Sequence, residues 1–396
     1  MRNSLKLVDE IKGRTTDKFD IDRIIGAEIR AQRLKLNMTL FEVAEGICSP
    51  SYISKMENNT TSINYSYVGK ICEKILLGGD YLEKLSIISK YVSEMVTAVY
   101  VRDEIEIKNI YRNVNAFDNY RVRIIRFIYY TYMKENRLAI IEKEKIMKLY
   151  KSLDNKEIKI FGLFTAIFDY NNYCYEDAVI VLQSIIKSSN DELILALCYE
   201  YLFLCYFKVN SRKFLLVLEK TEGKAKDLLL YDRIEEYTFF KLKYLLFNNM
   251  DEAEDVLDLL KKTRYYQTSK FLYDLSKMNK IDKNLERKGF ISLFYELLYL
   301  LFVDIKSFDL EFEKKRALFN EEECLYFEYI RSKANMSNII EDASIYCLKA
   351  IKLNSVFLIS DTLESACTYY RSKCRYKSIA DIIDRVKQAL TKIEKI

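Results

Sequence analysis

The chain has a single proline, Pro50, and none at all after Leu82. Over that same stretch glycine occurs only at 162, 223 and 289. Sandwiches, barrels and doubly wound sheets turn too often to be built with so little Pro and Gly, so roughly three hundred residues are restricted to an all-α architecture. The sequence breaks instead at Asn, Asp and Ser clusters: 113–119, 154–155, 169–172, 188–191, 248–251 and 335–338. Between these breaks lie helix-sized segments with apolar residues three and four apart.

The segments form pairs. Residues 158–168 are followed by 175–182, 234–247 by 251–257, 321–332 by 342–348, and 356–370 by 378–383. In each pair the second segment carries an early alanine (Ala178, Ala253, Ala343, Ala380) that lets a neighbouring helix approach closely. Ala343 and Ala380 are 37 residues apart, near the tetratricopeptide (TPR) period of about 34. The expectation is a divergent TPR-like α-solenoid, without the consensus Trp or terminal Pro. A single helical hairpin cannot bury its own apolar face, so stacked neighbours share one core.

The N-terminal part reads differently. In TLFEVAEGICSPSYISKMEN, residues 39–58, Thr39 and Glu42 are spaced as a capping box, and Val43, Ala44 and Ile47 supply an apolar face. Ser49 then caps a second helix that opens on Pro50, where a missing N–H costs nothing, and Ile53 and Met56 point inward. The polar residues Ser51, Tyr52, Ser54 and Lys55 are left facing outward. Upstream, Ile25, Ile29, Arg33 and Leu36 form a helical stripe that ends at Asn37-Met38, and Tyr67, Val68, Ile71, Cys72 and Ile75 give a closing helix.

From about Ile24 to Leu77 this order of elements resembles the helix-turn-helix of the lambda-repressor (Cro/C1) type. The words ICSPSYISKMEN are similar to the shortened turn of the peptide-responsive RRNPP regulators (Rgg, PlcR and PrgX-like proteins). Arg33 and Glu57 match that family's ion pair and are expected to act as a structural clasp. Candidate DNA contacts are Gln32, Thr39, Ser49, Pro50, Ser51, Tyr52, Ser54, Lys55 and Asn58, on an operator read as two half-sites by a homodimer. The resemblance also implies a TPR-like array that binds a short signalling peptide, and a role in processes such as sporulation, virulence, competence or conjugation. The expected organisation is an extension (1–20), a DNA-binding domain (21–78), a linker helix (79–93) hinged at Gly78-Gly79, and the array (94–396), which binds peptide and dimerises.

Composition narrows the function further. Histidine is absent, and no Gly-rich phosphate loop or C-x-x-C pair is present. Histidine-based catalysis and metal sites are thereby removed, and enzyme activity, cofactor and metal have no support in the sequence. The nine cysteines read as reduced, buried small hydrophobes of a cytoplasmic chain, with Cys198/Cys205 and Cys367/Cys374 each on one helix face. The N-terminus lacks the apolar run of a signal peptide. The longest apolar segment, 290–303, is interrupted by Glu296 and is shorter than the roughly 18 residues of a spanning helix. Residues 1–80 hold 12 Lys/Arg against 11 Asp/Glu, so non-specific attraction to nucleic acid is modest. Residues 1–20 read as either an ordered helix or a loose arm, and Leu5, Val8 and Ile11 offer a small apolar edge expected against a partner subunit.

A peptide lying in a solenoid needs side-chain amides and apolar pockets. Asn171, Asn172, Tyr173 and Asn210 are candidates, but all lie at inter-helix turns, where the reading as turn formers or helix caps prevails. Residues 102–151 carry 12 Lys/Arg and 7 Asp/Glu, with Arg123 and Arg126 on one face, either solvated or facing phosphate, an acidic partner or a peptide carboxylate. The leading function is a cytoplasmic quorum-sensing transcription regulator. The alternative is a TPR-type module that sequesters a phosphorelay or other regulatory protein, with DNA binding secondary.

Overall fold

The computed structural model of the chain describes residues 2–13, 21–58, 60–77, 81–115, 120–277, 281, 285, 289–334 and 343–394. Among them there is no strand. The helices are α1 (Arg2–Lys12), α2 (Ile21–Lys35), α3 (Leu40–Ala44), α4 (Pro50–Glu57), α5 (Tyr65–Lys74), α6 (Tyr81–Val101), α7 (Glu104–Val114), α8 (Tyr120–Tyr132), α9 (Asn136–Met147), α10 (Asn155–Asn171) and α11 (Tyr175–Ser188). They continue as α12 (Glu192–Lys208), α13 (Lys213–Asp227), α14 (Tyr231–Phe247), α15 (Ala253–Leu259), α16 (Tyr266–Ser276), α17 (Leu293–Val303), α18 (Ile305–Lys315), α19 (Glu321–Ala334), α20 (Ala343–Lys352), α21 (Val356–Ser372) and α22 (Tyr376–Glu394). Two compact units divide the chain, Met1–Leu202 and Phe203–Ile396. No described helix is long and apolar enough to cross a membrane.

From α6 onward helices follow one another as hairpins, and a shared device closes their turns. Arg102, Lys134, Tyr173, Asn210, Asn249, Asn354 and Cys374 all sit in the left-handed region, with φ between 49° and 62°. The next N–H then reaches back five residues: Cys174 to the Asp169 carbonyl (2.8 Å), Ser211 to Tyr206 (2.9 Å) and Met250 to Leu245 (3.0 Å). This Schellman closure satisfies carbonyls that the helix end leaves open. Glycine would adopt that conformation without penalty, whereas these side chains cost about 1 kcal/mol each. The packing of the hairpins offsets that cost, and a glycine-poor chain still turns sharply.

Amides tie one hairpin to the next. Asn136 donates to Asn172 (3.0 Å) within the first unit, and Asn210 and Asn248 exchange hydrogen bonds (3.1 and 2.8 Å) within the second. The partners are 36 and 38 residues apart, the length of one repeat.

Helix α1 settles what the sequence left open about the N-terminal segment. It packs on α10 and α11 of the same chain, with Leu7, Val8 and Ile11 buried; the side chain of Leu5 lies outside the described residues. Gly162 makes room for this contact, since a Cβ there would stand 2.8 Å from Ile11 Cδ1. The proposed hinge at Gly78-Gly79 also lies outside the described residues, as does the break at 335–338. The helix that follows the hinge does not stop at residue 93. It runs to Val101 and packs on α7 and α8. The cysteine pairs divide: Cys198 and Cys205 are both buried on α12, whereas Cys374 has left its helix for the turn beyond α21 and is exposed.

Candidate nucleic-acid interface

Helices α2 to α5 enclose a core of Ile24, Ile25, Ile29, Val43, Ala44, Ile53, Met56, Ile63, Val68, Ile71, Cys72 and Ile75. Each of these Ile and Val side chains contributes about 1.5–3 kcal/mol on burial, so a domain this small depends on all of them. Two local caps fix the helix pair within it. Thr39 accepts the Glu42 N–H (3.2 Å) while Glu42 Oε2 accepts the Thr39 N–H (2.6 Å), which starts α3. Ser49 Oγ accepts the Tyr52 N–H (3.1 Å), which starts α4 one residue before Pro50. Between them the chain turns at Gly46, with φ of 75°. That residue needs the left-handed region and passed unnoticed in the sequence, although a lone glycine between two capped helices is the signal for it.

A clasp holds α4 to α2. Arg33 Nε and Nη2 donate to the two carboxylate oxygens of Glu57 at 2.6 and 2.8 Å, and Nη1 donates to the Met38 carbonyl (3.0 Å). Both side chains are largely buried, the setting in which a planar two-pronged pair is strong. The bonds to Glu57 raise the Arg33 guanidinium above its ordinary value against the opposing pull of burial. Asn37 takes a positive φ of 55°, and the Met38 N–H returns to the Arg33 carbonyl (3.0 Å). An asparagine thus performs the turn for which glycine is the usual choice.

The candidate contact residues fall into three groups. Ser49, Pro50, Ser51 and Lys55 are exposed along the first turns of α4. Ser51 and Lys55 have no side-chain partner among the described residues, so both are available to an incoming ligand. Ser54 is half-buried. Thr39 and Asn58 are exposed but engaged: Thr39 in its capping box, and Asn58 between the Ser54 carbonyl (2.8 Å) and Arg30 Nη1 (2.8 Å). Arg30, which the sequence reading missed, therefore lies against the end of α4.

Gln32 and Tyr52 depart from expectation. Gln32 Nε2 donates to the Ile75 carbonyl (3.0 Å), tying α2 to the end of α5. Tyr52 is not part of the outward polar set. Its ring packs on the core and meets Tyr67 edge-on at 5.7 Å, and its hydroxyl accepts the Asn64 N–H (2.6 Å). A phenol buries its ring when a nearby backbone N–H can satisfy the oxygen, and the 62–64 segment supplies one. Lys74 adds a further support, donating to the Glu45 carbonyl (2.7 Å) at the end of α3.

Away from this domain the turn residues are occupied. Asn171 donates to the Thr131 carbonyl (3.2 Å), Asn172 to Phe168 (2.8 Å), and Asn210 is paired with Asn248. Tyr173 is a left-handed turn residue. In the basic segment, Arg126 is bound to Asn115 through its side chain and carbonyl (both 2.8 Å). Arg121 is fully buried.

A helix-turn-helix family profile matches residues 29–82, the segment whose geometry is described above. No curated protein matches the chain. Among solved structures it is similar to the crystal structure of Bacillus thuringiensis PlcR in complex with the peptide PapR7 and DNA, at 16% identity over 65% of this chain and 96% of that one, with a TM-score of 0.37. A likeness at that level carries no argument about how the helices are arranged. The helix-turn-helix assignment rests on the profile and on the caps, clasp and core.

Proposed function

We propose that the chain is a cytoplasmic transcription regulator that reads double-stranded DNA as a homodimer and is controlled by a short signalling peptide bound in its helical array. The observation that carries the DNA half is the pair Ser51 and Lys55. They are exposed, and unpartnered among the described residues, on a helix that the Ser49 cap starts and the Arg33–Glu57 clasp ties to α2. The N-terminal turn of such a helix presents backbone N–H groups to phosphate, and its side chains reach base edges in the major groove. A near-neutral domain gains little from the phosphate field alone, which favours a dimer that reads two half-sites.

The peptide half rests on the resemblance of the turn sequence to peptide-responsive regulators and on the stacked hairpins that follow the domain. Gating then works by population shift: a peptide that binds one arrangement of the array better than another changes the spacing of the two DNA-reading domains. Quorum sensing is the context this implies.

Genome-wide occupancy of the wild type and of the Ser51→Ala/Lys55→Ala variant tests the reading. Both side chains are exposed, so the variant keeps its fold. Discrete peaks over paired half-sites, lost in the variant and altered by exported peptides, are expected. Occupancy identical in the two proteins would overturn it.

A further inference from the structure

A cavity of about 310 Å³ opens in the second unit between α14 and the segments that carry Tyr265, Ile291 and Tyr295. Glu236, Phe239, Phe240, Lys243 and Arg264 complete its lining. Three aromatic rings surround the Lys243 ammonium: Nζ lies 3.8 Å from the centroid of Phe240, 4.7 Å from Phe239 and 5.2 Å from Phe207. Among the described residues its one hydrogen-bond partner is the Tyr295 hydroxyl, at 3.4 Å. No carboxylate pairs with it among the described residues.

Charges withdrawn from water are normally paired. The rings offset only part of the loss, about 2 kcal/mol for a desolvated cation–π contact. Lys243 is half-buried, its stem packed among the rings, and the water lost around Nζ drags the ammonium down to about 7, with Lys208 adding to the effect and Glu236 opposing it. Lys208 itself is satisfied by Glu322 at 2.6 Å and does not compete for a ligand. Arg264, stacked over Tyr265 at 5.1 Å, brings a second cation to the rim. The cavity thus presents two cations against one carboxylate, Glu236, and a wall of rings, a net positive charge that one further anion would balance.

We infer that this cavity binds a carboxylate carried on a small apolar body, with Lys243 and Arg264 receiving the charge and Phe239, Phe240 and Tyr295 the apolar group. The volume lies at the low end for ligand pockets and suits one side chain with its terminal carboxylate better than a whole peptide. If the peptide reading above holds, this is where the free C-terminus of the peptide goes. A small hydrophobic acid offers the same chemistry.

The test is calorimetric titration of the full-length protein with three probes: N-acetyl-leucyl-phenylalanine, its C-terminal amide, and 3-phenylpropionate. The acid dipeptide is expected to bind at least about tenfold more tightly than the amide, the scale of a hydrogen bond to a charged group. Lys243→Met, which keeps the volume, should abolish that preference, and Arg264→Gln should reduce it. Phenylpropionate binding as well as the dipeptide acid assigns the site to a free acid, and weaker binding assigns it to a peptide terminus. Either result supports the inference. Acid and amide binding alike, neither binding, or a preference that survives in Lys243→Met would overturn it. Because these measurements use no DNA, they are decided separately from the occupancy experiment.

Discussion

Each unit of this protein draws a long cationic side chain out of water, Arg121 fully and Lys243 by half, and the two solve the problem in opposite ways. In the first unit Arg121, 1% exposed, donates to Glu157 and lies 3.6 Å from Asp154, while the Tyr120 hydroxyl donates to the same Glu157 at 3.0–3.1 Å. The two carboxylates have other work too: Asp154 caps α10, and Glu157 closes its capping box. In the second unit Lys243 has aromatic rings and one long hydrogen bond. A guanidinium with two carboxylates is complete and holds α8 to α10. An ammonium that no described carboxylate bonds, with Glu236 only nearby across a cavity, is not. The contrast separates a structural charge from one that awaits a ligand.

The largest expected effect follows from removing the complete cation. Arg121→Met leaves Asp154 and Glu157 buried without their counter-charge, and breaking such a pair costs about 3–5 kcal/mol. Urea unfolding followed by circular dichroism should show the first unit melting early. A loss below about 1 kcal/mol would mean that the carboxylates take up protons or water at little cost, and the distinction drawn here would fail. Burial, with the charge of Glu157 next, already pushes the Asp154 carboxyl above its usual range, against its capping bonds and Arg121.

A second cation sharpens the scale. The Arg33–Glu57 clasp has the same two-pronged logic but is less fully enclosed, its side chains 12% and 3% exposed. Arg33→Met should therefore cost less, about 2 kcal/mol. It should also weaken operator binding in proportion to the domain left unfolded. Gel-shift titration beside thermal melting checks this. A full loss of DNA binding with unchanged stability would place Arg33 on the DNA and not behind α4.

The DNA-reading domain was legible because its signals are local. Thr39 with Glu42, Ser49 with Pro50, and the apolar spacing of Ile53 and Met56 all act within one turn. Hairpins could be read for the same reason, from the want of proline and the placement of Asn at turns. Tyr52 was misread because its partner N–H belongs to Asn64, across a loop that gives no signal in the α4 sequence. The turn asparagines were readable as turn formers. Their pairing partners lie a full repeat away, so the sequence around each turn does not show the amide-to-amide bonds the structure has there. Arg121 stood in a basic run that reads as a solvated face, and only Glu157, 36 residues on, shows why it is buried. The cage around Lys243 draws on residues from 207 to 295, and no window of sequence contains it.

The smallest effect belongs to Lys243 and has a distinctive pH signature. Unfolded, its ammonium keeps its proton to an ordinary value of 10.5; folded, it releases it near 7. Between these values the unfolded chain binds more protons, so this group makes stability rise with pH across that window. Below about pH 7 the side chain is charged in both states and its burial penalty is present in full. Lys243→Met removes the penalty. The variant should be more stable than wild type at pH 6, by less than the full 10.5-to-7 shift would carry because Lys243 is only half-buried, and the difference should shrink as pH approaches 8.5. Taking the difference between the two proteins cancels cysteines and tyrosines that titrate in the same range. Parallel urea titrations at pH 6, 7 and 8.5 give the measurement. A variant less stable than wild type at pH 6 would show that the rings already satisfy the ammonium, which would make Lys243 as complete as Arg121.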